Sequence, residues 1–184
     1  MALSRSGAGA AALALAIVAF LLLAGTAFGA SDHRVVKVQD DCEQVSFDAA
    51  VGPGTCIGDG DTLFPDFLAE FQDEGSVDGW AFSRDDFGLE HGGTIDAVNE
   101  GGEFHTFTEV PRFGNGCVPL LNQGDDPAVV DCAFLATTGV PPGTTLTVGG
   151  LAPGEHKFMC LIHPWMQSTA KVEGDDDEDH SGQG

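Results

Sequence analysis

The sequence predicts an all-β fold, a sandwich of antiparallel strands with one short helical segment. Three observations support this. Apolar or alternating runs of about five residues recur along the chain. Glycine and proline clusters separate them, as in β-sandwiches. Only one segment, residues 64–71, has a helical pattern. The clearest predicted strands are residues 94–98, 144–148 and 155–160, bounded by Gly92-Gly93, Gly101-Gly102, Pro141-Pro142-Gly143 and Pro153-Gly154.

Before these runs the pattern is more varied. Residues 35–38 and 45–47 are predicted to form short strands, and residues 64–71 one or two helical turns. In the run 155–160, His156, Phe158 and Cys160 share one face because side chains alternate along a strand. We therefore expect Phe158 to point into the core beside Cys160.

The N-terminus predicts a signal peptide over residues 1–29. Arg5 precedes an apolar run at 8–24, and small residues follow at Ala27 and Gly29. The alternative is an uncleaved anchor, because residues 7–30 carry no charge and about 20 apolar residues span a bilayer. The protein is thus expected to be secreted, periplasmic or on the extracytoplasmic surface, with membrane contact only if this segment stays uncleaved.

The remaining chain suits one domain, since roughly 140 residues can enclose a single core. We expect an N-terminal extension packed on the domain at residues 30–79, a core at 80–173 and a disordered acidic tail at 174–184. The acidic run in the tail cannot bury apolar surface. The sequence assigns no role to residues 49–79, and we expect a monomer.

The charge balance is strongly acidic, with 29 Asp and Glu against 7 Lys and Arg. Nucleic acid is therefore excluded as a partner, because phosphate binding needs a basic surface. Two interpretations of the acidity stay open. It keeps the surface solvated, or it steers a basic redox partner toward the protein.

Five cysteines, at positions 42, 56, 117, 132 and 160, leave one thiol over if two disulfides form. The favoured pairs are Cys42 with Cys56 and Cys117 with Cys132, each closing a short loop. Other connectivities stay open. Disulfides fit the oxidising compartment that a signal peptide implies, and the favoured pairing leaves Cys160 free.

Cys160 opens the most specific motif of the chain, Cys-x2-His-x2-Met, which continues with His163 and Met166. A thiolate, imidazoles and a weak thioether suit a copper ion that alternates between Cu(I) and Cu(II). His105, which follows the Gly-Gly turn, is the candidate for a second histidine. The sequence thus indicates one mononuclear copper site, with His105 as the candidate that completes it.

These segments resemble the cupredoxins, the blue copper proteins of the plastocyanin, amicyanin and pseudoazurin type. The resemblance covers residues 80–173 and weakens between His105 and Cys160, where this chain has what looks like a disulfide-closed insertion. It implies a Greek-key β-sandwich and a type 1 copper centre with His105, Cys160, His163 and Met166 as its ligands. It also implies that Asn99 supports the site without binding the metal, and that the edge of His163 is exposed as the electron port.

The expected function is an electron carrier that works with a redox partner protein and is not itself an enzyme. A multicopper oxidase or nitrite reductase is disfavoured, because such chains carry additional His-x-His motifs and this one has only six histidines. The alternative is a copper storage or delivery protein that uses the same site. Trp165 is expected either to line the patch around His163 or to fill the core.

Overall fold

A computed structural model describes residues 32–174 of the chain. The signal peptide predicted over residues 1–29 and nearly all of the predicted acidic tail lie outside these residues. The elements follow in the order β1 (His33–Gln39), α1 (Gln44–Ala50), α2 (Phe64–Glu74), β2 (Ala81–Phe82), β3 (Asp86–Leu89), β4 (Thr94–Asn99), β5 (His105–Thr106), β6 (Thr108–Val110), β7 (Gly139–Val140), β8 (Thr145–Gly149), β9 (Gly154–Met159) and β10 (Gln167–Val172). Two 3₁₀ turns, Pro119–Leu121 and Cys132–Ala136, lie between β6 and β7.

The predicted all-β sandwich is confirmed. One four-stranded sheet has the order β2-β1-β4-β8, and the other has the order β3-β10-β9-β6. β5 and β7 form a separate two-stranded pair, and His105 is the first residue of β5. The three clearest strands predicted from the sequence correspond to β4, β8 and β9 within one residue at either end.

Two strand pairs are parallel, unlike the antiparallel pairing that the sequence predicted. β1 runs parallel to β4, and β3 runs parallel to β10. Between β1 and β4 the chain forms both helices and a strand of the other sheet, so β4 enters the first sheet from the same end as β1. Parallel pairing requires such long connections, and a pattern of short hairpin signals does not reveal them.

The strand predicted at residues 45–47 is wrong, because these residues belong to α1. The Glu43 side chain accepts hydrogen bonds from the backbone N–H groups of Val45 and Ser46, which caps the helix. Phe47 alone is buried in this helix, while Val45 is 74% exposed. The two apolar residues therefore do not share a buried face, as a strand would require.

The predicted helix at residues 64–71 is confirmed and is longer than expected. It continues to Glu74 and ends at Gly75, which has a left-handed conformation with φ of 73° and donates its N–H to Phe71. Its buried residue, Phe67, packs 4.9 Å from the Trp80 ring. α2 is thereby fixed to the sandwich by aromatic contacts.

The core lies between the two sheets and extends under the helices. Phe107 and Phe158 stack face to face with ring centroids 4.4 Å apart, and Phe82 meets Phe107 edge-on at 5.1 Å. Phe158 is buried, as the alternation in β9 predicted. β1 lies between β2 and β4 in its sheet. It also contributes to this core, since Val36 and Val38 are fully buried. The predicted division of the chain near residue 80 stays a prediction.

The disulfides are Cys42–Cys56 and Cys117–Cys132, as favoured from the sequence, and Cys160 is a buried free thiol. The second disulfide closes the predicted insertion between β6 and β7. Within residues 32–174, no helix has the length and apolar character needed to cross a bilayer.

Candidate metal centre

Three of the four predicted ligands meet between two segments that are distant in sequence. His105 begins β5, and Cys160 directly follows the last residue of β9. His163 lies in the turn that leads into β10. All three side chains are buried. The sandwich thus brings a thiol and two imidazoles together at one end.

Their donor atoms form a nearly regular triangle. Cys160 Sγ lies 3.8 Å from His105 Nδ1 and 3.9 Å from His163 Nδ1, and the two nitrogens are 3.3 Å apart. The point equidistant from the three atoms is about 2.1 Å from each, and zinc bonds to nitrogen and sulfur in proteins measure about 2.0–2.3 Å. The geometry therefore fits one metal ion with both histidines facing it through Nδ1.

Backbone hydrogen bonds fix the loop that carries the thiol. Cys160 donates its N–H to the Met166 carbonyl at 3.0 Å, and Met166 donates to the His163 carbonyl at 2.9 Å. The N–H groups of Thr106 and His163 each lie 3.5 Å from Cys160 Sγ. These contacts favour the thiolate, which is the form that binds metal.

Met166, the fourth predicted ligand, is buried at the end of the same loop. Its backbone takes part in both hydrogen bonds that close the loop. The assignment of its thioether, and of the other three side chains, as copper ligands stays a prediction.

Asn99 stabilises the turn that leads to His105. Its side-chain N–H groups donate to the carbonyls of Glu103 and Val140 at 2.8 and 2.7 Å, and its Oδ1 accepts from Gly101 at 2.9 Å. Asn99 is itself buried. The turn and β7 are thereby held together on the side of the site where His105 enters.

Asp40 is a site residue that sequence reasoning missed. Its buried carboxylate accepts from the outer nitrogen of His105, Nε2, at 2.9 Å. The backbone N–H groups of Gly102 and Glu103 donate to the same carboxylate at 2.9 and 3.0 Å. A Cβ at Gly101 would overlap this carboxylate, so the Gly-Gly turn is required for the close approach. Asp40 therefore fixes the orientation of the His105 ring.

Glu103 is the second residue that was missed, and it lies beside the other histidine. Its Oε2 accepts a hydrogen bond from Trp80 Nε1 at 2.6 Å and lies 3.7 Å from His163 Nε2. Its side chain is buried. The available sequence signal was weak: Asp40 follows an apolar strand, and Glu103 precedes His105 by two residues. Nothing in the sequence indicated that the two carboxylates would meet the two histidines.

The prediction that the edge of His163 is exposed is wrong, because its side chain is only 3% exposed. Phe67 of α2 meets the imidazole edge-on with centroids 6.2 Å apart, and Trp165 meets it at 5.3 Å. Helix α2 belongs to the segment for which the sequence assigned no role. In the structure Phe67 of this helix covers His163, one of the candidate ligands.

The electrostatics of the site favour a charged network. Burial lowers the pKa of His105, but hydrogen bonds with Asp40 and Cys160 outweigh it and raise the pKa to about 9. Burial raises the pKa of Asp40, but its bonds to His105 and to the backbone lower it to about 2. Burial likewise raises the pKa of the Cys160 thiol, but its contacts with His105 and His163 outweigh burial and hold that pKa well below the usual value. Burial raises the pKa of Glu103.

His156 lies away from this cluster. Its Nδ1 bonds with Glu109 and its Nε2 with the Ala152 carbonyl, each at 2.7 Å. Burial lowers its pKa, but these bonds raise it above the usual value overall.

No protein-family model and no curated protein matches the sequence. Among solved structures, the chain is similar to a purple cupredoxin from Nitrosopumilus maritimus, with 12% identity over 76% of this chain and 99% of that chain and a TM-score of 0.41. It is similar to amicyanin from Paracoccus versutus, with 13% identity over 53% of this chain and 77% of that chain and a TM-score of 0.34.

A third similar structure is the copper-containing nitrite reductase of Thermus scotoductus SA-01. The identity is 20% over 51% of this chain and 20% of that chain, with a TM-score of 0.35. These likenesses concern the fold alone. The chemistry assigned to the site rests on the residues of this chain.

Proposed function

We propose that this protein is an electron carrier with one type 1 copper ion held by His105, Cys160, His163 and Met166. The observation that carries the proposal is the triangle formed by Cys160 Sγ and the two histidine Nδ1 atoms, whose sides are 3.3 to 3.9 Å. One thiolate, two imidazoles and a nearby methionine form a donor set that suits copper. When bound, copper supplies a one-electron exchange between Cu(I) and Cu(II).

The protein's own contribution is a rigid and dry pocket. Asp40 orients His105, and the loop hydrogen bonds of Met166 and Cys160 fix the thiolate. The four side chains that would bind the metal are buried, so little movement of water or side chains accompanies a change of metal charge. A rigid pocket lowers the reorganisation that electron transfer requires.

An electron carrier has no substrate to transform, and the described residues around the site fit that role. His163 is enclosed by the side chains of Phe67, Glu103 and Trp165. We therefore propose a carrier, not an enzyme, that exchanges electrons with a redox partner protein outside the cytoplasm. The acidic surface would attract a partner with a basic docking face.

The alternative is a copper storage or delivery protein, which would have to release its metal. Burial of the donors favours retention, and repeated cycling tests the difference. We expect the copper-loaded protein to pass through about ten cycles of ascorbate reduction and ferricyanide oxidation. Its visible absorption should return in full after each oxidation. A Cu(I) chelator, bicinchoninate, is present throughout. Transfer of the copper to bicinchoninate during the first reduction would contradict a carrier and favour storage or delivery.

A further inference from the structure

The surroundings of His163 separate this site from the surface in almost every direction. His105 and Cys160 are fully buried, and Phe67 is 3% exposed. Glu103, which faces the outer nitrogen of His163, is also buried. Among the described side chains that contact His163 through a ring or a carboxylate, Trp165 is the one that is partly exposed, although its Nε1 is buried.

Trp165 connects the metal centre with an open cavity. Its ring lies 5.3 Å from the His163 ring and 5.2 Å from the Phe71 ring. Together with Pro164 and Gln167 it lines a cavity of about 320 Å³ between the end of α2 and the insertion. The indole therefore contacts a metal-binding residue on one side and borders solvent on the other.

Resting on the proposed function, we infer that Trp165 is the electron port of this protein, the surface residue through which the metal centre exchanges its electron. The oxidised partner approaches the cavity at Trp165 and takes one electron. The bound copper would go from Cu(I) to Cu(II) as the acceptor is reduced by one electron, with no proton or covalent bond exchanged. His163, which is closed off by Phe67 and Glu103, passes the electron to the indole.

Phe104 is the competing exit. It is 39% exposed and is joined covalently to His105, the other histidine of the site. Its ring, however, is near Gly139 in β7, and it has no ring contact with His163 among the contacts of the described residues. Phe104→Leu is therefore the matched control, because it removes an exposed ring adjacent to a metal-binding histidine.

The test measures how fast the reduced, copper-loaded protein is oxidised by the cobalt(III) tris-phenanthroline cation. We expect Trp165→Leu to slow the reaction on the order of tenfold or more, with Phe104→Leu staying within about twofold of the wild type. Trp165→Phe, which keeps a ring against His163, should restore most of the rate. The visible spectrum should be the same in all four proteins, since Trp165 and Phe104 are not ligands. The reduction potential of each protein is measured as well, so that the rates are compared at equal driving force.

An unchanged rate in Trp165→Leu, or a comparable loss in Phe104→Leu, would overturn the assignment of the port and leave the copper centre standing. A wild type without a thiolate-to-copper absorption band would overturn the proposed function itself, and the port with it. The two failures are thus distinguishable.

A measurement on the metal-free protein covers the case in which Trp165→Leu no longer binds copper. The chain has two tryptophans, and Trp80 is only 2% exposed. In Trp165→Phe only Trp80 emits, so acrylamide should quench the fluorescence of the wild type several-fold more strongly than that of this variant. Equal quenching would show that Trp165 does not reach solvent and would overturn the port.

Discussion

At the scale of single residues, the candidate site combines residues that are close in sequence with residues that are far apart in it. Cys160, His163 and Met166 lie within seven positions, so their spacing is a local signal. Asp40 and His105 are 65 residues apart, and their contact exists only because β1 ends beside the Gly101-Gly102 turn. Contacts of this kind depend on the pairing of strands, which alternation along one strand does not reveal.

Asp40→Asn should weaken copper binding by about 10- to 100-fold, the usual effect of losing a carboxylate that orients a metal-binding histidine. Asparagine has nearly the same size as aspartate. In either orientation, however, its NH2 group would face an N–H donor of Gly102, Glu103 or His105 instead of accepting from it. A competition titration against a Cu(II) chelator measures the affinity. Asp61→Asn, which makes the same charge change at an exposed position, should leave the affinity unchanged.

Copper uptake near neutral pH should release about one proton per ion. His105, with a pKa raised to about 9, must lose a proton to bind metal, whereas the lowered pKa of Cys160 already favours its thiolate. The apparent affinity should therefore rise about tenfold per pH unit between about pH 7 and 9 and level off above that range. Chelator competition at several pH values measures the slope, and a pH-independent affinity would disagree with this network.

At the scale of elements, α1 shows why local patterns mislead. Val45, Ser46 and Phe47 alternate like a strand, but the Glu43 side chain satisfies two N–H groups at the start of a helix. Helix α2 was predicted from residue 64, where Pro65 marks its start, but its continuation to Glu74 and its end at Gly75 were missed. Its position over His163 was not predictable, because that depends on Phe67 packing against Trp80.

Phe67→Ala should lower the free energy of unfolding by about 3 kcal/mol or more, because it removes a buried ring that packs on five others. Urea denaturation of the metal-free protein measures this change. Phe134→Ala is the matched control, since that ring is 46% exposed in the insertion, and its effect should be within about 1 kcal/mol. Similar losses in both variants would mean that α2 is not anchored through Phe67.

At the scale of the whole molecule, the acidity is unevenly distributed. Residues 38–83, which include both helices, contain many Asp and Glu and no Lys, Arg or His. Gly75 of this acidic segment lines the cavity at Trp165 together with residues of the insertion between β6 and β7, such as Phe113 and Leu121. The surface beside the candidate metal centre is therefore built from segments that the sequence pattern described least well.

Salt should stabilise the protein, because a net charge of −22 makes the compact state repel itself. The thermal unfolding midpoint should rise as NaCl increases from about 0.02 to 0.5 M, and KCl should have the same effect at equal ionic strength. Calorimetry of the metal-free protein checks this. A midpoint that falls with salt would show that attractive ion pairs outweigh the repulsion.

The central claim is that Cys160 and two histidines hold one copper ion as a type 1 centre. The most direct measurement is a titration of the metal-free protein with Cu(II), followed by visible and EPR spectra, beside Cys160→Ser and His156→Gln. The account predicts an intense thiolate-to-copper band and narrow copper hyperfine splitting at one ion per chain. Both features should be absent in Cys160→Ser and intact in His156→Gln. A colourless copper complex, or one that Cys160→Ser leaves unchanged, would contradict it.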